Sequence, residues 1–139
     1  MNRYAIYGPT LLRVSLGIIF LAHSAYLKVV VFTVPGTVGF FESLGLPALL
    51  AYGTLAAEII GGVLLILGVA VRPVAAVLVA VSLGATWAHL GAGWLFTNEG
   101  GGFEYPLFLA VSSAVQFLLG PGALRLQIPQ LQETPAWAQ

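Results

Sequence analysis

Glu58 is the only charged residue in a long apolar run, residues 49–70. The run is long enough to cross a bilayer, where an ionisable side chain at mid-depth is energetically costly. Such a carboxylate needs either a partner or a chemical task. The first question is therefore which other ionisable side chains can lie near it.

The other ionisable residues in or beside the apolar segments are few: Arg13, His23, Lys28, His89 and Glu104. If successive helices run antiparallel, His23, His89 and Glu104 fall in the outer half, and Glu58 lies about 15 Å below the outer end of its helix. These four side chains could line an outward-facing polar cavity. Arg13 would approach Glu58 from the inner side and snorkel.

Three interpretations of these residues compete. In the first, Glu58 is structural and is either protonated or paired with Arg13 or His23. In the second, the carboxylate and the histidines exchange protons with a small polar headgroup, such as a quinone ring, because both side-chain types can carry protons at depth. In the third, His23 and His89 ligate a haem or a metal. No spaced ligand motif supports the third, so haem and metal are disfavoured.

The composition indicates a membrane protein. Of 139 residues, 59% are hydrophobic and 7% are charged, and the mean hydropathy is +0.97. Soluble domains average about 25% charged residues, and a chain of this size cannot bury so much apolar surface in water. The absence of cysteine excludes thiol chemistry and Cys-ligated iron–sulfur clusters within this chain. The net charge of zero gives no indication of a nucleic-acid partner.

Four apolar segments predict an all-α, integral-membrane four-helix bundle that forms one domain over residues 1–139. The predicted spans cover about residues 10–30, 48–69, 73–90 and 104–120. Pro47, Pro73 and Pro106 lie where the last three helices should begin. Residues 34–45 predict either a short amphipathic helix on the outer membrane surface or an apolar loop. Arg3 and Arg13 ahead of residues 14–22 also fit a signal peptide cut after Ser24, but we interpret this segment as the first span.

The cations predict the orientation. Arginines lie on one side of the four-span arrangement and only Lys28 lies on the other, so the positive-inside rule places both termini in the cytoplasm. The arginines are Arg3, Arg13, Arg72 and Arg125.

Small residues recur every four positions in the second and third spans. The two ladders are Gly53, Ala57 and Gly61, and Ala76, Ala80, Gly84 and Ala88. They predict close packing of these helices in the bundle, with self-association as the alternative.

Several stretches together resemble the DoxX family. They are Leu12-Arg13 to Ala22-His23 with Lys28, Pro35-Gly36-Thr37-Val38 to Leu46-Pro47, Ala57-Glu58-Ile59-Ile60-Gly61-Gly62, and Gly101-Gly102-Phe103-Glu104-Tyr105-Pro106-Leu107. The resemblance implies a four-span protein of the bacterial inner membrane. The family takes its name from a membrane subunit of a thiosulfate:quinone oxidoreductase, and some members are linked to oxidative-stress defence or to quinone and catechol handling. It offers no agreed catalytic residues to transfer.

The family-like polar positions are Arg13, His23, Lys28, Glu58 and Glu104, whereas His89 lies in a more variable stretch. Our hypothesis is a membrane subunit of, or accessory to, a quinone-linked oxidoreductase, with no covalent cofactor implied and no claim that the chain is an enzyme on its own. Its expected partners are the lipid bilayer and a membrane or redox subunit, or further copies of itself. The alternatives are a non-catalytic scaffold or assembly subunit and a small-solute carrier, the latter disfavoured because four spans leave little room for alternating access.

Overall fold

The computed structural model describes residues 2–131, and the regular secondary structure in that part of the chain is helical. The predicted domain also includes residue 1 and residues 132–139, which lie outside the described residues. The helices are α1 (Tyr7–Leu21), which continues as a π-helical segment (Ala22–Val31), α2 (Val34–Ser43), α3 (Ala48–Leu67), α4 (Val71–His89) and α5 (Glu104–Leu119). Short 3₁₀ turns occupy Leu90–Ala92 and Pro129–Leu131.

Three of these helical stretches are long and apolar enough to cross a membrane: Tyr7–Val31, Ala48–Leu67 and Val71–Ala92. The apolar helix Glu104–Leu119 is shorter. The all-helical prediction is confirmed, and the segment left open as helix or loop is helix α2. The first helix begins at Tyr7 rather than near residue 10, because Pro9 falls in its first turn, where a missing backbone N–H breaks no helical bond.

Helices α1, α3, α4 and α5 form a ring in which each packs against two others. Helix α1 contacts α3, α3 contacts α4, α4 contacts α5, and α5 returns to α1. We call the end that holds the start of α1 and the end of α3 the Arg13 end, and the opposite end the Lys28 end. The buried apolar core comprises Leu16, Phe20, Leu65, Val71, Leu78 and Leu109. Helix α2 packs at the Lys28 end against α3 and the π-helical segment.

The predicted ladder of small residues on α4 does not form a contact between helices inside the bundle. Ala76, Ala80 and Gly84 on α4 lie on its exposed face, so their predicted packing inside the bundle is wrong for this chain. Helices α1 and α3 instead meet at Gly17 and Gly62, where a methyl group added to Gly17 would lie 2.6 Å from the Gly62 carbonyl oxygen. Spacing within one helix shows that small residues share a face, but it does not show which neighbouring helix that face contacts.

Candidate functional site

Glu58 forms an ion pair inside the bundle. The residue is 5% exposed, and its Oε2 accepts hydrogen bonds from Ser24 Oγ and from Lys28 Nζ, the latter at 2.5 Å. Ser24 is fully buried, whereas the Lys28 side chain remains 24% exposed. One carboxylate oxygen therefore receives both of its donors from within the chain, and the ammonium is the member of the pair that reaches the surface.

The π-helical segment positions both donors. Ser24 and Lys28 are four residues apart, so both project toward the same flank of α3. π-helical turns are rare and occur often at functional sites. The Lys28 carbonyl oxygen accepts a hydrogen bond from Thr37 Oγ1 at 2.9 Å, which ties α2 to this segment. The connection turns sharply at Thr33, whose φ is +65°, and the Thr33 hydroxyl caps the start of α2 by accepting from Gly36 N.

Arg13 lies at the other end of the bundle and does not contact Glu58. Its guanidinium is fully buried and donates only to backbone carbonyls, at distances of 2.6–3.2 Å. The acceptors belong to Leu65, Ile66, Pro121, Ala123 and Leu124. The last carbonyls of a helix have no partner within it, and the helix dipole favours a cation there. Arg13 therefore closes the end of α3 and anchors the chain after α5, and the expected approach to Glu58 is corrected.

His23 does not face Glu58 on α3. It faces Tyr105 on α5. Its ring stacks on the ring of Tyr105, with centroids 5.5 Å apart. Its Nδ1 lies 2.9 Å from the Ile19 carbonyl oxygen. A carbonyl can only accept, so the neutral ring carries its proton on Nδ1 and leaves Nε2 as an acceptor.

Tyr105 links His23 to an aromatic cavity of about 550 Å³ beside α5. The cavity is open on its outer side, where Trp94, Phe96 and Phe108 are more than half exposed. The other lining residues are Trp94, Phe96, Glu104, Leu107, Phe108 and Val111. The lining is almost wholly apolar, and Glu104 is its only carboxylate. Glu104 Oε1 accepts a hydrogen bond from the Phe96 backbone N–H at 3.3 Å, so it also holds the loop before α5.

His89 has yet another environment. Its Nδ1 lies 2.8 Å from the Ala85 carbonyl oxygen, and its ring centroid lies 6.3 Å from that of Phe40 on α2. Within residues 2–131 no three His, Cys, Asp or Glu side chains are grouped to hold a metal ion.

The structure thus brings Glu58 and Lys28 into contact, sets His23 and Glu104 around Tyr105, and leaves Arg13 and His89 apart. The single cavity expected to join His23, Glu58, His89 and Glu104 is replaced by an ion pair and a separate aromatic cavity. Ser24 and Tyr105 were not among the predicted site residues. Their positions relative to predicted site residues could have indicated them, because Ser24 precedes Lys28 by four positions and Tyr105 follows Glu104.

The match to a known protein family covers the first four helices. The model of the DoxX family matches residues 8–91, which include Arg13, Lys28 and Glu58. A Bacillus subtilis (strain 168) protein described as "Putative oxidoreductase CatD" is 42% identical to this chain over 87 residues. That match covers 61% of this chain and 61% of the relative. No solved structure matches the chain.

Proposed function

Because this chain belongs to the DoxX family and is a multi-pass membrane protein, we propose that it is the membrane subunit of, or an accessory to, a quinone-linked oxidoreductase. It resides in the bacterial inner membrane with both termini in the cytoplasm, so that the Lys28 end faces outward. The name of the relative as an oxidoreductase agrees with this function. In this proposal a partner subunit supplies or removes the electrons.

The observation that carries the proposal is the ion pair of Glu58 with Lys28. Placing both charges inside a bundle carries a desolvation penalty that an apolar pair of similar volume would avoid. Ionisable residues kept within membrane spans usually mark a pathway for ions, protons or substrate. The partial exposure of Lys28 gives the buried carboxylate a route to the surface.

The aromatic cavity supports a quinone as the ligand. Its volume of about 550 Å³ lies within the range of about 300–1,000 Å³ that is usual for small-molecule sites. Aromatic walls from Trp94, Phe96 and Phe108 can stack on a quinone ring. Tyr105 can donate a hydrogen bond to a quinone oxygen, and its ring contacts His23, the residue next to Ser24.

The chemistry assigned to this chain is proton exchange. Reduction of a quinone to a quinol adds two electrons and two protons, and oxidation releases the same. In the proposed complex the electrons pass between the quinone and the partner's redox centre. In the proposed route, Glu104 and Tyr105 exchange protons with the ring, because both line the cavity. The Lys28–Glu58 pair lies outside the cavity and is linked to it through Ser24 and its neighbour His23, which stacks on Tyr105.

The test replaces Glu58 with Gln and measures binding of short-tailed ubiquinone and menaquinone analogues to the purified protein in nanodiscs. Glu58→Gln keeps an oxygen that can accept from Ser24 but removes the charge that pairs Lys28. We expect weaker quinone binding, with the helical content unchanged. Glu42→Gln is the matched control, because Glu42 is exposed on α2. Absence of quinone binding to the wild type would reject the proposal, and equal quinone binding by wild type and both variants would remove Glu58 from it.

A scaffold or assembly subunit is the second candidate. It is favoured by the fact that Glu58 is already satisfied by two donors of its own chain and needs no ligand. In that case Glu58→Gln lowers thermal stability or changes the oligomeric state in native mass spectrometry, while no quinone binds to the wild type. The two measurements on one variant separate the two functions.

A further inference from the structure

Three polar atoms within residues 2–131 are buried without a hydrogen-bond partner: Ser82 Oγ on α4, and Ser113 Oγ and Gln116 Oε1 on α5. Ser113 and Gln116 are fully buried, and Ser82 is 2% exposed. Buried polar groups in proteins are nearly always satisfied by protein or by ordered water. Three unsatisfied atoms on two adjacent helices therefore indicate ordered water in the bundle interior.

The local geometry excludes the simplest alternatives. A helical hydroxyl usually returns to the carbonyl four residues earlier, as Thr86 Oγ1 does by donating to the Ser82 carbonyl oxygen at 2.8 Å. The hydroxyls of Ser82 and Ser113 do not. The amide of Gln116 cannot be reversed, because its Nε2 donates to the Gly120 carbonyl oxygen at 2.7 Å. Its Oε1 is consequently an acceptor facing away from that bond.

The positions of these side chains along the bundle axis can be compared by counting from the Arg13 end. There the last residues of α3 and α5 and the first residues of α4 lie close together. Arg13 bonds both to the end of α3 and to the chain after α5, and Arg72 Nε donates to the Phe117 carbonyl oxygen. At 1.5 Å per residue from the Arg13 end, Gln116 lies at about 5 Å and Ser113 at about 9 Å. On the same scale Glu58 lies at about 14 Å and Ser82 at about 17 Å.

We propose that water bound between Gln116, Ser113 and Ser82 forms a proton path through the bundle, from the Arg13 end to Glu58 and on to Lys28. Along the helix axis the path rises by about 4 Å from Gln116 to Ser113 and by about 8 Å from Ser113 to Ser82, and Glu58 lies about 3 Å back toward the Arg13 end. One bridging water spans each short step and two span the longer one. Each step joins packed helices, α5 with α4 and then α4 with α3. Buried waters typically make about three hydrogen bonds to polar groups that would otherwise be unsatisfied. All the side chains on the path except Lys28 are buried within the same ring of helices.

The transfer step breaks and forms only O–H and N–H bonds, so no electrons move and no reductant is needed. A proton enters beside Gln116, passes along water and the two serine hydroxyls, and reaches a Glu58 oxygen. Lys28 releases a proton at the other end and regains one from Glu58. Lys28 is the charged group that contacts Glu58 in the described residues, and Arg13 is held at the entrance by its five carbonyls.

The experiment measures proton flux into proteoliposomes that contain this protein alone and no quinone. A potassium diffusion potential set by valinomycin drives the protons, and a trapped pH-sensitive dye reports them. We expect the wild type to conduct above empty liposomes, and Ser113→Ala and Gln116→Leu to lose most of that flux. Ser15→Ala is the matched control, because Ser15 is exposed on α1, and it should conduct as the wild type does.

A wild type that conducts no more than empty liposomes would overturn the path, as would equal flux in wild type, Ser113→Ala and Gln116→Leu. Thermal unfolding of Ser113→Ala supplies a second readout that does not depend on flux. Removing an unsatisfied dry hydroxyl is neutral or stabilising, whereas removing a hydroxyl that holds water is destabilising. A stabilised Ser113→Ala variant would therefore also contradict the proposal. Quinone binding is absent from both measurements, so this inference can fail while the proposed function stands.

Discussion

Arg13 shows how a single side chain can hold two distant parts of a membrane bundle. Its planar guanidinium presents five N–H donors, and all its acceptors are backbone carbonyls near the Arg13 end. The charge needs no carboxylate, because the negative end of the α3 dipole and the aligned carbonyls compensate it. The residue is structural, although its type and depth resemble those of a functional cation.

Replacement of Arg13 by Lys tests this role. A lysine keeps the charge but offers three donors at one point, so it cannot reach the carbonyls of Leu65, Pro121 and Leu124 together. Hydrogen bonds to charged groups contribute about 1.5–3 kcal/mol each, so we expect a destabilisation of about 3 kcal/mol or more. Thermal unfolding in detergent measures it, with Arg3→Lys as the control, because Arg3 is exposed. Similar unfolding temperatures for both variants would show that the carbonyl contacts contribute little.

Glu58 and Arg13 show which features of the site could be predicted from the sequence and which could not. Glu58 could be singled out because a lone carboxylate in an apolar run is conspicuous in any helical arrangement. Its partner, Lys28, could not be identified from the sequence. Arg13, His23 and Lys28 all lie on the same continuous helical stretch, and the sequence does not fix how that stretch is rotated. Two further features were not predictable. They are the π-helical segment, which changes the rotation after Leu21, and the unsatisfied hydroxyls of Ser82 and Ser113.

At the level of elements, the contact between α1 and α3 depends on two glycines rather than on a repeated ladder. A methyl group on Gly17 would lie 2.6 Å from the Gly62 carbonyl oxygen and 2.7 Å from Ile66 Cγ1. Backbone cannot move away as a flexible side chain does, so the helices would have to separate. Helix positions were well predicted from apolar runs and prolines, but the identity of the contacting residues was not.

Gly17→Ala and Gly84→Ala form a matched pair that tests this contact. Overpacking in a tight interior costs about 1–3 kcal/mol, and we expect Gly17→Ala to be destabilised by that amount. A methyl group on Gly84 meets nothing within 4 Å, and alanine is favoured over glycine in a helix by about 1 kcal/mol. Gly84→Ala should therefore unfold at the same or a higher temperature. Equal destabilisation of the two variants would place Gly84 in an interface, such as one between copies of the chain.

At the level of the whole molecule, the arrangement predicts which surfaces face each side of the membrane. The short helix α2 and the loop after α4 lie at the Lys28 end, and the chain after α5 returns to the Arg13 end, where Leu126 N donates to the Leu67 carbonyl oxygen. Because the arginines are concentrated at the Arg13 end, the positive-inside rule predicts that this end faces the cytoplasm. Three of the four predicted spans correspond to helices long enough to cross the membrane, and the fourth, α5, is shorter.

Cysteine labelling can test this orientation, because the chain contains no cysteine. Ser43→Cys and Thr97→Cys, at exposed positions of the Lys28 end, should react with a membrane-impermeant maleimide in intact spheroplasts. Leu126→Cys, which is exposed at the Arg13 end, should react only after lysis. The opposite labelling pattern would invert the topology and would make the Lys28–Glu58 pair accessible from the cytoplasm.

The Arg13 clamp also has a consequence for how the chain is assembled during synthesis. The carbonyls of Pro121 and Leu124 lie 108 and 111 residues further along the chain than the side chain that binds them. The first helix must therefore enter the bilayer with these guanidinium bonds unmade, and it keeps them unmade until the last helix has followed. A nascent chain that stops after α4 carries an incompletely bonded cation in the membrane.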